Sequence, residues 1–199
     1  MSMTELIHFD EHLFHLINQG LQNAFFDWMM PWLRNKLTWV PLYLFLGAFL
    51  VINFRRTGLF IILLAGLTVG VSDFSNSQLL KKGIKRVRPC HIYKAPEEMN
   101  LLVPCGGGYS FPSSHAANHF ALATVLTLLL SPVFRWIGWP LFLWAFAVAF
   151  AQVYVGVHYP LDVLCGALVG VAIGLSIGIP GRKYIRTGLA RILDQQNFK

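Results

Sequence analysis

The sequence predicts an all-α integral membrane protein, a bundle of about five transmembrane helices preceded by an interfacial amphipathic helix, about six helices in all. Hydrophobic residues make up 55% of the 199 residues and charged residues only 13%, whereas a typical soluble domain has about 25% charged residues. The apolar residues are gathered into long segments, and the mean hydropathy is +0.55. Both features are typical of a multispanning membrane protein. The length predicts one membrane-embedded domain over residues 1–199.

Residues 1–36 are expected to lie at the membrane interface. Within residues 4–21, apolar and polar residues occupy opposite helix faces, and the segment is too polar to span. The apolar face carries Leu6, Phe9, Leu13, Leu16 and Ile17, and the polar face carries His8, Glu11, His12, His15 and Asn18. The histidine spacing could hold zinc, but a solvated face is the favoured interpretation and no metal is expected. Residues 25–36, which include two tryptophans, indicate an interfacial connection.

Hydropathy predicts a helical bundle over residues 37–180. The spans begin with Leu37–Phe54 and a segment from Thr57, followed by Ser114–Leu130, Trp136–Tyr154 and Leu161–Ile179. The second segment turns polar after Val71 and is expected to continue to Arg88, where Pro89 stops it. Such a helix would measure about 48 Å, against about 30 Å of hydrocarbon. Its polar half is therefore expected to line a cavity or to reach the headgroups.

A polar loop from Cys90 to Pro112 separates the second and third spans. A disulfide between Cys90 and Cys105 and two unpaired thiols are both compatible with the sequence. Cys165 lies in a predicted span and is expected to be a packing residue.

Alternate threading of the spans places the polar motifs on one side of the membrane. That side holds Lys81–Arg88, His115 and His158, and the other holds Arg55, Arg56, Arg135 and a basic tail over residues 181–199 with Arg182, Lys183, Arg186 and Arg191. Because basic residues favour the cytoplasmic side, the tail is expected to be cytoplasmic and the motifs extracytoplasmic. We expect a bacterial inner-membrane protein whose site faces the periplasm. The net charge of +7 is explained by segment ends and anionic lipid, so nucleic acid is not an expected partner.

Three short segments carry residues suited to phosphate chemistry. Lys81 and Arg88 are seven residues apart, so a continuous helix would place them on one face with Lys85 between them. Such a stripe favours a bound phosphate, although a basic patch on anionic lipid has the same pattern.

The second segment opens the third span. Ser113 or Ser114 can cap the helix, whose free N–H groups favour an anion. His115 at this position is a candidate general acid, and a histidine that merely lies at the interface is the alternative. His119, one turn deeper, is expected to be a packing residue.

In the third segment, His158 precedes Asp162 by four residues. A carboxylate at this spacing can hold the ring by Nδ1–H and leave Nε2 free as a nucleophile. A buried aspartate at the start of an apolar span is costly without such a partner.

Together these segments resemble the signature of the type 2 phosphatidic acid phosphatase (PAP2) superfamily of membrane lipid phosphatases. The family pattern is Lys-x6-Arg-Pro, then Pro-Ser-Gly-His, then Ser-Arg-x5-His-x3-Asp. Lys81 to Pro89 fits the first, Pro112 to His115 fits the second with Ser114 in place of glycine, and His158 with Asp162 fits the third. The resemblance covers about residues 57–175.

The resemblance implies a role for each matching residue. His158 would attack phosphorus and become a phosphohistidine, Asp162 would hold its ring, and His115 would protonate the leaving group. The phosphoryl oxygens would be bound by Lys81, Arg88, Ser113 and the Ser114 backbone, with no metal or other cofactor. The family's Ser-Arg pair is replaced by Ala151 and Gln152, which weakens one phosphate contact. Candidates for the missing charge are Lys85, Arg86, His91 and Lys94.

The leading functional hypothesis is metal-independent hydrolysis of a lipid phosphate or diphosphate. Undecaprenyl diphosphate, phosphatidate or phosphatidylglycerol phosphate, and a lipid A phosphate are the substrates considered, with membrane lipids as the surroundings. Transfer of the phosphoryl group to another alcohol is one alternative. A non-catalytic lipid-binding or transport protein, with Gln152 as a sign of decay, is the other.

Overall fold

The computed structural model describes residues 2–95 and 97–196, with side chains described to residue 185. The described part is helical and contains no strand. Its helices are α1 Met3–Asn18, α2 Ala24–Arg34, α3 Val40–Phe74, α4 Lys81–Ile84, α5 Pro89–Ile92, α6 Ser114–Leu130, α7 Gly138–Tyr154 and α8 Pro160–Gln196. The all-helical prediction is confirmed, and the five predicted spans correspond to two arms of α3 and to α6, α7 and α8.

The N-terminal helix α1 packs against α7 and α8. Ser2 caps it and forms a reciprocal capping box with Glu5, which satisfies two otherwise free N–H groups. The expectation of a solvated polar face is wrong at Asn18, which is 0% exposed, and Asp10 on the same helix is also 0% exposed. Asn18 Nδ2 donates to the carbonyl of Tyr154 at 2.7 Å, which ties the end of α1 to the end of α7.

The following segment, expected to be an interfacial connection, forms a helix, α2. Asn23 caps α2 by accepting a hydrogen bond from the Phe26 N–H, and Met30 is buried in the apolar cluster beneath. A short 3₁₀ turn, Lys36–Trp39, then leads into α3. The indole of Trp39 donates to the Leu33 carbonyl at 2.8 Å and fixes the end of α2.

The long helix α3 is broken at Arg55, where φ is 49° and ψ is −122°. The chain reverses there, as the Arg55-Arg56 boundary between two spans predicts. Lys36–Ile84 and Pro160–Ile185 are long and apolar enough to cross a membrane, whereas α6 and α7 are apolar but have 17 residues each. Together with the charge deficit of the sequence, these helices support an integral membrane protein.

The second arm of α3 does not continue to Arg88 as expected. A π-helical segment, Ser75–Leu80, widens the helix, and regular helix ends at Ile84. Lys85 then adopts a left-handed conformation with φ 55°. The predicted single basic stripe is therefore wrong, because Lys85 and Arg88 lie beyond the helix that carries Lys81.

Close packing of α8 on α6 positions the two histidine motifs. Glycines recur every fourth residue on the α8 face towards α6, at Gly166, Gly170, Gly174 and Gly178. A Cβ at Gly170 would lie 2.2 Å from the Ala117 carbonyl oxygen. Small residues at this spacing let two helix backbones approach closely in a membrane.

Two buried apolar clusters mark the two ends of the bundle. One contains Phe14, Met30 and Tyr159, and the other contains Phe54 and Ile185. Tyr159 directly precedes α8 and Ile185 lies within it, so these two residues are about 38 Å apart along the helix. The Phe134 ring lies against Phe54 of the second cluster, with ring centroids 6.3 Å apart.

The polar motifs and the predicted cytoplasmic cations thus lie at opposite ends of the bundle. Arg55 and Arg135 directly follow Phe54 and Phe134 in the chain. Arg182 and Lys183 at that end are exposed, and the side chains of Arg186 and Arg191 lie outside the described residues. In the motif-side loop, Cys90 and Cys105 form a disulfide, which selects one of the two alternatives left by the sequence.

Candidate active site

The turn between α7 and α8 places His158 next to Asp162. Gly156 reverses the chain there with φ 87°, and a side chain at this residue would collide with Met99. His158 is 2% exposed and Asp162 is 0% exposed. The Nδ1 atom of His158 lies 3.4 Å from Oδ2 of Asp162, an electrostatic contact somewhat longer than a strong hydrogen bond.

The other ring nitrogen of His158 faces Arg88. Arg88 Nη1 lies 3.1 Å from Nε2 and also donates to the Val157 carbonyl at 3.1 Å. Because a guanidinium only donates, Nε2 accepts and the ring proton lies on Nδ1, towards Asp162. Burial lowers the pKa of His158 to about 4, so the ring is neutral at pH 7. This is the protonation state that a nitrogen nucleophile requires.

Asp162 is held in place by contacts that the sequence reasoning did not find. Arg86 donates to Oδ1 of Asp162 at 2.9 Å and to Oδ2 of Asp10, on α1, at 2.7 Å. Its guanidinium also lies 4.0 Å from the centre of the Tyr159 ring. Oδ1 of Asp10 accepts from the Leu161 N–H at 2.8 Å. The first helix of the chain therefore fixes the start of α8 through a buried ion-pair network.

His115 lies in the first turn of α6, where the predicted capping is present. Ser113 Oγ accepts from the Ala116 N–H at 3.4 Å, and the Ser113 N–H donates to the Asp162 carbonyl at 2.8 Å. Ser114 Oγ accepts from the Asn76 amide at 2.9 Å. The polar stretch of the second predicted span thus supports this helix start, and α6 is joined directly to the residue that pairs with His158.

Lys81, Arg88 and Arg34 form a cluster of cations around the histidines. Arg34 and Lys81 lie close enough for their charges to act on His115, and Arg34 is likewise close to Arg88. Among the residues that the structure describes, none of these three cations has a carboxylate within ion-pair distance. Buried cations need a counter-charge, so the cluster is suited to an anion.

Gln152 is completely buried and faces this cluster. Its Oε1 accepts from Arg34 Nε at 3.3 Å, whereas its Nε2 has no partner among the described residues. The four candidates for the missing family charge lie elsewhere. Arg86 is engaged by two carboxylates, and Lys85, His91 and Lys94 are exposed.

A cavity of about 650 Å³ lies between the second arm of α3 and α6, and His115 lines it. His119 also lines it, with Nδ1 2.8 Å from the His115 carbonyl and its ring 4.7 Å from that of Trp144. An apolar groove of about 410 Å³ continues from the cavity along α3 and shares Tyr43, Val69 and Leu122 with it. A polar site thus opens onto a long apolar surface.

The residues that sequence reasoning missed come from segments far from the motifs. Arg34 and Asp10 precede Lys81 by more than forty residues, and nothing in local spacing links them to it. The sequence did offer one signal. An unpaired carboxylate or guanidinium on a helix of such an apolar protein is costly in free energy, so each of these residues requires a partner.

This chain is similar to known proteins over most of its length. The PAP2 superfamily sequence profile matches residues 56–179. The lipid A 4'-phosphatase of Bacteroides thetaiotaomicron is 33% identical over 152 residues, 75% of this chain and 67% of that protein. The undecaprenyl-diphosphatase of Sulfolobus acidocaldarius is 31% identical over 164 residues, 79% of this chain and 71% of that protein.

A solved structure shares the fold. The crystal structure of the first transmembrane PAP2 type phosphatidylglycerolphosphate phosphatase from Bacillus subtilis superposes with a TM-score of 0.72 at 23% identity. The likeness covers 92% of this chain and 89% of that one, so the fold follows a known architecture.

Proposed function

The chain belongs to the PAP2 superfamily, and from this premise we propose that it is a membrane phosphatase of lipid phosphates or diphosphates. One observation carries the proposal. A neutral histidine backed by a carboxylate lies beside Arg88, one of three cations that lack a carboxylate partner among the described residues, and His115 lines a cavity that continues as an apolar groove. A small soluble phosphate ester would leave the apolar groove empty, whereas a lipid phosphate would fill the polar site with its headgroup and the groove with its hydrocarbon chain.

The reaction proceeds in two displacements at phosphorus. His158 Nε2 attacks the phosphoryl group, a P–N bond forms, and the P–O bond to the lipid breaks. His115 gives its proton to the leaving oxygen. His115 then accepts a proton from water, which attacks phosphorus, breaks the P–N bond and releases inorganic phosphate. Asp162 holds the His158 ring and stabilises its positive charge in the intermediate.

The remaining site residues bind the phosphoryl oxygens. Arg88 moves from Nε2 to the incoming phosphate, and Lys81 adds a second charge. Both make charge-assisted hydrogen bonds, which are stronger than neutral ones. The start of α6 supplies free backbone N–H groups and the positive end of the helix dipole.

The apolar groove supports a substrate with a long hydrocarbon portion. Its lining residues Leu46, Leu50 and Leu126 continue it towards the other end of α6. A lipid A phosphate is the first candidate, because the relative from Bacteroides thetaiotaomicron is named for that activity. Undecaprenyl diphosphate is the second, on the name of the relative from Sulfolobus acidocaldarius.

Phosphate release from a panel of lipids tests the proposal. Purified protein is given lipid A, undecaprenyl diphosphate, phosphatidate and phosphatidylglycerol phosphate in detergent micelles. We expect turnover of at least one, inhibition by orthovanadate, and loss of activity by at least about 1,000-fold in His158→Ala. Rapid acid-free quenching is expected to trap a phosphohistidine that this variant lacks.

His12→Ala is the matched control, since His12 is exposed. If no lipid releases phosphate, or if His158→Ala behaves like the control, the catalytic proposal fails. Transfer of phosphate to an added alcohol in place of release would identify a phosphotransferase instead.

We also propose that the site faces the extracytoplasmic side of a bacterial inner membrane. Arg55, Arg135 and Lys183 gather at the opposite end of the bundle, and basic residues favour the cytoplasmic side. The disulfide between Cys90 and Cys105 supports the same orientation, because disulfides persist in oxidising compartments.

A further inference from the structure

Gln152 occupies the position at which the PAP2 pattern has an arginine, and the structure brings another arginine to the same place. Arg34, at the end of α2, reaches Gln152 with its Nε at 3.3 Å. The two residues are 118 apart in the chain. The charge missing from α7 is thus present on α2.

The remaining hydrogen-bonding groups of Arg34 are available to a ligand. Its Nε is used by Gln152, and no hydrogen bond from either Nη to another described residue is present. Arg34 also lies close enough to Arg88 to feel its charge. Two guanidinium groups in a partly buried site repel each other, and an anion between them offsets this repulsion. No described carboxylate is within ion-pair distance of either one.

Gln152 provides a second, independent sign of a ligand. Its side chain is 0% exposed, and the Nε2 donor has no partner among the described residues. Arg88 Nε is a second buried donor without a partner there. Leaving such donors unpaired is costly. A phosphoryl group between Arg34 and Arg88 would accept from both arginines and from Gln152.

We propose that Arg34 is a phosphate-binding residue, which replaces from α2 the arginine absent at residue 152, and that Gln152 positions it. This inference rests on the proposed phosphatase function and names a further residue of the same site. It also removes the reason for regarding Gln152 as a sign of lost activity.

An exchange of the two side chains tests the proposal. We expect Arg34→Gln to lower kcat/KM about 10- to 100-fold for the lipid that the unaltered protein hydrolyses fastest, as removal of a charge-assisted bond does. The kcat/KM of Arg34→Lys is expected to lie between that of Arg34→Gln and that of the unaltered protein. The double variant Arg34→Gln with Gln152→Arg returns the charge to the pocket from α7, and we expect it to recover to within about fivefold.

Two controls separate binding from structure. Gln152→Ala removes the same Arg34–Gln152 hydrogen bond but keeps the charge, so it is expected to be milder than Arg34→Gln. Arg56→Gln removes an exposed arginine at the other end of the bundle and is expected to have no effect. If Arg34→Gln stays within twofold of the unaltered protein, or Gln152→Ala is equally damaging, the proposal is wrong.

Orthovanadate binding, measured by thermal stabilisation, distinguishes this proposal from the function itself. Vanadate needs the anion site but no lipid turnover, and Arg34→Gln is expected to weaken its binding about 10- to 100-fold. If the protein hydrolyses no lipid but Arg34→Gln weakens vanadate binding, the phosphatase function is refuted and the role of Arg34 in anion binding is supported. If the protein is active and depends on His158 but Arg34→Gln binds vanadate as tightly as the unaltered protein, the phosphatase function is supported and the role of Arg34 is refuted. Should the double variant unfold, Arg34→Gln and Arg34→Lys decide alone.

Discussion

At the scale of single residues, the two contacts of the His158 ring determine its proton. Arg88 donates to Nε2, and Asp162 faces Nδ1, so only the Nδ1–H tautomer satisfies both neighbours. A charged ring would place a second positive charge against Arg88 in a buried site. The site therefore keeps the nucleophile neutral by burial and by a neighbouring cation, whereas Asp162 opposes this effect.

This arrangement predicts how His158 titrates. Its pKa is lowered from the usual 6.5 to about 4, so between these values the unfolded chain binds a proton that the folded protein does not. The stability that the neutral ring contributes is present above about pH 6.5 and is lost as the pH falls towards 4. Nitrogen-15 NMR of labelled histidine, assigned with His158→Gln, is expected to show the Nδ1–H tautomer down to pH 5. A midpoint at or above 6.5 would contradict the assignment.

Asp10 is predicted to be a positioning residue that acts through Arg86. In Asp10→Asn, Arg86 loses one of its two carboxylates and Asp162 is held less firmly, so we expect kcat to fall about tenfold with little change in KM. Glu11→Gln, in the next position and half-buried, is the control and should retain activity. Equal losses in the two variants would indicate a general effect on α1 instead.

At the scale of elements, the glycine face of α8 sets the distance between the two histidine motifs. Gly170→Ala would force its Cβ against the Ala117 carbonyl, since the ideal position lies 2.2 Å away. We expect a loss of about 1–3 kcal/mol in the free energy of unfolding. Activity is expected to fall with it, because the Ser113–Asp162 backbone hydrogen bond joins the same two helices at the start of α6.

Gly83→Ala serves as the comparison for this prediction. Gly83 is an exposed helical glycine with nothing within 4 Å of the added methyl group. The melting temperature of Gly83→Ala should therefore equal or exceed that of the unaltered protein. If both variants melt alike in detergent, α8 is not held on α6 by close contact at Gly170.

The elements also show what the sequence could predict and what it could not. The spans and the His158–Asp162 pair follow from local hydropathy and spacing, and the glycine periodicity is equally readable. The prediction of a single basic stripe is wrong because the π-helical segment and the left-handed conformation of Lys85 change the direction of the chain. Arg34 and Asp10 were missed because only tertiary packing brings α1 and α2 to the motifs.

At the scale of the whole molecule, the two ends of the bundle differ. One end holds the candidate site and the Cys90–Cys105 disulfide, and the other end holds exposed basic residues. We predict that a cysteine replacing Tyr109 reacts with a membrane-impermeant maleimide in spheroplasts, whereas one replacing Trp136 reacts only after permeabilisation. Both side chains are exposed at their respective ends. Cys165→Ala is the background, with Cys90 and Cys105 left joined. The opposite labelling pattern would reverse the proposed orientation.

The packing of α1 and α2 on α7 and α8 has a consequence for how this protein can be recombined with its relatives. The family profile covers residues 56–179, but Asp10 and Arg34 lie outside it and reach into the centre of the matched region. The residues that build the site therefore extend beyond the range that the family profile matches. A chimera that takes its first 36 residues from a homologue with arginine at residue 152 but none at residue 34 would have neither arginine, because the rest of the chain keeps Gln152, and the reciprocal chimera would have both. Such grafts should succeed only when residues 34 and 152 are inherited together.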